Sequence, residues 1–130
     1  MRGRLMLQKY LVLALAGAAG TLARFWLGGV VQRLAGEGFP LGNFIVNISG
    51  CLLFGLVYAV IENRSGLPGE LRLYVLTGFM GAYTTFSTYM FESVALMQHG
   101  QWLAASANLL GQTVLGVACI MAGLALGRFF

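Results

Sequence analysis

Aspartate is absent from this chain, and its acidic residues are four glutamates. Histidine occurs once, at His99, and cysteine twice, at Cys51 and Cys119. Proline occurs only at Pro40 and Pro68. Charged residues are 9% of the 130, against about a quarter in a soluble domain. Each scarcity closes a class of function. A lone histidine in a short polar connection (Gln98–Gln101) cannot build a metal site by itself. The cysteines stand in apolar runs without CxxC spacing or a companion histidine, and read as small buried apolar residues. No acid pair and no nucleophile–base arrangement is present, so the protein is expected not to be an enzyme. The net charge of +4 comes with no basic cluster and interleaved aromatics. That sets nucleic acid aside and suits contact with anionic lipid.

What is abundant is apolar surface, at 58% of residues. A bilayer-spanning helix needs about 20 mostly apolar residues. Four such segments are predicted, over Leu7–Val31, Leu41–Ile61, Leu71–Met97 and Leu103–Leu126. Short connections at Gln32–Pro40, Glu62–Glu70 and Gln98–Gln101 leave room for one domain only, residues 1–130. The fold class is therefore an all-α membrane protein. The amino terminus imitates a signal peptide, but its apolar run continues through Thr21–Val31, so cleavage is not expected. Four helices of this length enclose a pore poorly, so a homodimer is expected. Arg2, Arg4, Lys9, Arg64, Arg72 and Arg128 fall on one side of the bilayer and Arg33 on the other. That bias alone places the amino terminus in the cytoplasm.

Polar residues inside these segments are the candidates for function. The stretch Thr77–Glu92 crowds Thr84, Thr85, Ser87 and Thr88 behind Gly78 and Gly81, with Phe86 and Tyr89 among them. Hydroxyls at membrane depth need a protein contact, an ion site or a pore. Helical spacing puts Thr85, Thr88 and Glu92 on one face, and Phe86, Tyr89 and Ser93 on the next. Glu92 is the one acid inside a segment, and either faces water or a partner or sits near the helix end at the interface. Asn43 and Asn47 share a face of the second helix, as interhelical glue or as amide donors to a pore. Asn108 and Gln112 share a face of the fourth, as do Ser106 and Thr113. Arg24 either snorkels with Trp26 or faces a vestibule and attracts anions. Ala16 with Gly20, and Gly123 with Gly127, have the spacing of close helix packing. Neutral donors bind an anion without trapping it, as conduction requires.

The runs Gly42-Asn43-Phe44-Ile45-Val46-Asn47-Ile48-Ser49-Gly50, Thr77-Gly78-Phe79-Met80-Gly81 and Thr84-Thr85-Phe86-Ser87-Thr88-Tyr89 closely resemble the Fluc fluoride channel family, also called CrcB. So does the first helix, ending in Gly20-Thr21-Leu22-Ala23-Arg24-Phe25. The resemblance spans nearly the whole chain. It implies an antiparallel, dual-topology homodimer in the plasma membrane, with two pores that export fluoride by passive electrodiffusion. By position it implies Asn47 as the pore asparagine and Phe86 as the first ring of an aromatic box. Thr85, Ser87 and Thr88 extend its polar track, with Glu92 and Arg24 at the vestibule. Gly81 and Thr84 match a break in the third helix, whose backbone carbonyls hold a structural sodium ion. Tyr89, Asn43 and Gln112 stand where the family commonly has phenylalanine, threonine and serine. Two rivals are a proton-coupled exporter of the small multidrug-resistance type and a non-transporting assembly subunit. The exporter needs a carboxylate in its first helix, which is missing here. The subunit has no need of Asn47, Gly81 and the hydroxyl run together.

Overall fold

A computed structural model describes residues 2–64 and 66–130, except for the side chain of Arg2. The Arg2 side chain, counted in the charge bias, and Ser65 of the second connection thus lie outside the described residues. Among the described residues the structure is entirely helical. Helix α1 runs Arg2–Ala35, α2 runs Leu41–Asn63, and α6 runs Trp102–Gly127. These three are long and apolar enough to cross a membrane. The third apolar segment is assembled from pieces: α3 (Gly69–Arg72), a π-helical stretch (Leu73–Met80), α4 (Gly81–Tyr83) and α5 (Phe86–Gln98).

The expected bounds are corrected at the first helix. Gln32–Ala35, read as connection, are helical. The Gln32 side chain explains the turn that follows. Its Nε2 donates to the carbonyls of Gly36 (2.5 Å) and Phe39 (3.0 Å), and its Oε1 accepts the Gly42 N–H at 2.9 Å. One amide thus ties the end of α1 to the start of α2. Gly36 supplies the turn with φ of +80°, a conformation few other residues tolerate.

Small residues set the packing. A Cβ at Gly20 would overlap the Phe79 carbonyl oxygen, and one at Gly78 would meet Ala16 Cβ at 2.9 Å. Helix α1 and the third segment therefore touch backbone to backbone, through the Ala16 and Gly20 pair that the sequence spacing marked. Helices α2 and α6 do the same. Cβ atoms at Gly123, Gly127 and Gly55 would strike backbone of Leu52, Leu56 and Ile120 respectively. Contacts rise in number together along both chains (Phe44 at Gly111, Cys51 at Gly116, Ala59 at Gly127), so α2 and α6 run parallel. Val46 and Ala105 are fully buried. Large apolar side chains such as Leu15, Phe25, Trp26, Phe91, Leu103 and Leu110 point outward. An exposed apolar belt on three spanning helices defines a multi-pass membrane protein.

Ion pairs lie where the third segment begins. Lys9 Nζ stands 3.1 Å from Glu70 Oε1, and its hydrogen bond holds the Glu70 carboxyl below the ordinary value. Arg72 pairs with Glu62 and lies 5.3 Å over the Tyr58 ring.

Candidate functional site

The helical run stops after Tyr83. Thr84 turns to ψ of 159° and Thr85 is extended at φ −147°, ψ 117°, while Gly81 keeps helical angles. Thr85 then caps α5. Its Oγ1 accepts the Thr88 N–H at 3.3 Å and donates to Thr88 Oγ1 at 2.9 Å. A threonine at this position recovers one of the donors that a helix start leaves unsatisfied.

Asn47 recovers one more. Its Oδ1 accepts the Thr85 N–H at 2.9 Å, and its Nδ2 donates to the Thr85 carbonyl at 3.2 Å. In a continuous helix the Thr85 N–H would bond the Gly81 carbonyl, and the Thr88 N–H the Thr84 carbonyl. Both N–H groups go elsewhere, so those two carbonyls lose their next-turn partners. The second Nδ2 hydrogen of Asn47 bonds Gln112 Oε1 at 2.7 Å.

These groups open into a groove of about 300 Å³, lined by Asn47, Thr84, Thr85, Phe86, Tyr89, Gln112, Thr113 and Cys51. Phe86 is 73% exposed on its rim, while Tyr89 is 8% exposed. Their centroids are 5.8 Å apart with the planes at 66°, an edge-to-face pair. The Tyr89 hydroxyl donates to the Leu109 carbonyl at 2.8 Å and lies 3.2 Å from Thr113 Oγ1.

A second groove of about 270 Å³ lies beside the first. Arg24, Asn43, Thr88 and Glu92 line it, together with Gly28, Gly29 and Gln32. Asn43 Nδ2 donates to Glu92 Oε2 at 2.9 Å. Arg24 lines this groove with its Nε buried and without a hydrogen-bond partner, while Trp26 beside it in sequence is exposed. A wider mouth of about 510 Å³ continues from Glu92 to Glu37, His99 and Gln101.

The expected faces regroup. Thr85 parts from Thr88 and Glu92, because it stands outside the helix whose periodicity joined them. Phe86 and Tyr89 stay together on the first groove, and Ser93 parts from them, buried in the core. Asn43 and Asn47 serve different grooves. Ser87 is exposed and lines neither. Sequence reasoning missed Gln32 and the bond of Ser49 Oγ to the Tyr83 hydroxyl at 2.8 Å. The spacing of Asn108 and Gln112 was visible, but their tie to Ser93 was not.

A multi-pass helical protein with amide, hydroxyl and aromatic groups gathered at a helix interruption belongs to the class that handles small polar species in a membrane. Residues 11–124 match the family described as CrcB-like protein, Camphor Resistance (CrcB). The chain belongs to that family. A protein of Maridesulfovibrio salexigens named "Fluoride-specific ion channel FluC" is 57% identical over 94% of this chain and 97% of its own length. One of Nitratidesulfovibrio vulgaris strain Miyazaki F, with the same name, is 57% identical over 94% and 98%. A third, from Nitrosococcus oceani and also so named, is 48% identical over 95% and 98%.

Proposed function

We propose that this chain forms a fluoride-selective channel that lets cytoplasmic fluoride leave the cell passively and so confers fluoride resistance. The observation that carries the reading is the groove at the helix interruption, where Asn47, Gln112 and Thr113 meet the edge-to-face rings of Phe86 and Tyr89. A small hydrated anion needs hydrogen-bond donors to replace its water, and ring edges are positive. The names of the relatives favour a channel over an exporter or an assembly subunit.

The first groove is open to the outside of the chain, and Phe86 projects from its rim into space that its own chain does not fill. A second copy closing that side would complete two pores. In our reading the copies are antiparallel, with the first three pieces of the third segment and α5 forming one broken transmembrane helix. The second groove is the vestibule, where Arg24 draws anions in and Asn43, Thr88 and Glu92 pass them along. The Gly81 and Thr84 carbonyls, without their helical partners, fit a hard cation that prefers neutral oxygen ligands. A sodium ion there would neutralise the converging carbonyl dipoles and hold the two copies together. The plasma membrane is the site that export requires.

The test is anion loss from liposomes carrying the purified protein, with fluoride and chloride followed side by side. Rapid fluoride loss with chloride retained is the expected result. Retention of both ions by a folded dimer would overturn the channel reading.

A further inference from the structure

From the Asn47 groove a chain of side-chain hydrogen bonds runs into the core. Gln112 accepts from Asn47 through Oε1, and its Nε2 donates to Asn108 Oδ1 at 2.8 Å. Asn108 Nδ2 donates to Ser93 Oγ at 2.9 Å, and Ser93 donates to the Tyr89 carbonyl at 2.8 Å. Asn108 is 0% exposed and Ser93 1%, and neither lines a groove.

The last acceptor is a backbone carbonyl, which has no donor form. That fact gives the whole chain one direction. Ser93 must spend its proton on Tyr89, so its oxygen takes an N–H from Asn108. Asn108 must then turn Oδ1 toward Gln112, and Gln112 must turn Oε1 toward Asn47. An amide is nearly symmetric in shape, and only its partners decide which way it points. Reversing Gln112 would set N–H against N–H at Asn47 and oxygen against oxygen at Asn108. Low surrounding dielectric makes both mismatches costly.

We infer that Asn108 and Ser93 are positioning residues for anion passage: the Thr85 backbone fixes the Asn47 amide, and they act on Gln112, holding its Oε1 as the acceptor that the Asn47 N–H meets. This deepens the channel reading and rests on it. The Asn47 N–H that faces Gln112 is the donor an ion in the groove would borrow. Its availability is set by an acceptor that Asn108 holds in place. Asn108 thus tunes throughput without touching the ion.

The experiment compares Asn108→Leu with Asn108→Asp in the full-length dimer. Leucine keeps the branching at the γ carbon, although it is larger, and removes the acceptor for Gln112. A buried aspartic acid in its neutral form keeps an acceptor for Gln112 and a donor for Ser93. We expect the leucine variant to lose roughly tenfold in fluoride flux, the factor one neutral hydrogen bond commands, while the aspartate variant conducts near the parent rate. The side-chain amide proton resonance of Asn47 should move in the leucine variant and stay in the aspartate variant. Equal flux in the two variants, or loss confined to the aspartate one, would overturn the inference. So would an Asn47 resonance that ignores both. The resonance does not depend on transport, so a parent protein that fails to conduct would sink the channel reading and leave the relay separately tested.

Discussion

Replacing Asn47 by aspartate changes one group, and the structure says what each half of the amide was doing. The remaining Oδ1 still accepts the Thr85 N–H. The new oxygen, where Nδ2 was, faces the Thr85 carbonyl at 3.2 Å and Gln112 Oε1 at 2.7 Å, acceptor against acceptor. Two neutral hydrogen bonds are lost, at about 1 kcal/mol each. With buried acceptors left unpaired, the total comes to about 2–4 kcal/mol. Gln112 gives no relief by turning over, because its Nε2 is engaged by Asn108. Transport suffers separately. An ionised carboxylate about 5 Å from the ion's path repels it by roughly 3 kcal/mol at an effective dielectric constant of about 20, on the order of a hundredfold in rate. Fluoride efflux from liposomes measures the second effect, and the unfolding midpoint in detergent measures the first. Parental flux would remove Asn47 from the ion's path. Parental stability would show that the clasp on Thr85 does not hold the interruption.

Phe86→Ile should cut fluoride flux sharply and leave the protomer's thermal stability unchanged, because an exposed ring contributes little to its own chain's packing; unchanged flux would take Phe86 off the path. Gly20→Ala should destabilise the protein by about 1–3 kcal/mol in a detergent unfolding assay, since its methyl group overlaps the Phe79 carbonyl. Replacing sodium with a large organic cation should weaken the dimer, read as a higher protein concentration at the monomer–dimer midpoint, while dimerisation independent of sodium would reject Gly81 and Thr84 as its ligands.

Long apolar runs made α2 and α6 legible to within two residues, since the bilayer dictates their length and polar connections bound them. The first helix was less legible at its end. Polar Gln32 and Arg33 look like a connection, yet α1 carries on past the apolar run through them. Within the site, residue types were readable and partnerships were not. Periodicity assumes a continuous helix, and the extended Thr84 and Thr85 shift every face beyond them. The Tyr89 hydroxyl stood out as a departure from the phenylalanine common in the family. It is spent on a carbonyl of α6, twenty residues away in sequence and invisible to local spacing. Ser93 looked like one more hydroxyl on a face, and only the fold reveals it as the end of a relay.

The glycine contacts between α2 and α6 have a mechanical consequence. Asn47 and Gln112 stand on two helices that meet backbone to backbone below them, with no intervening layer of side chains to change rotamer. Their separation is that of a caliper locked at one setting. In the proposed channel such a pair would be a rigid frame behind the ion's path, with no layer of side chains between the two helices on which it could slide.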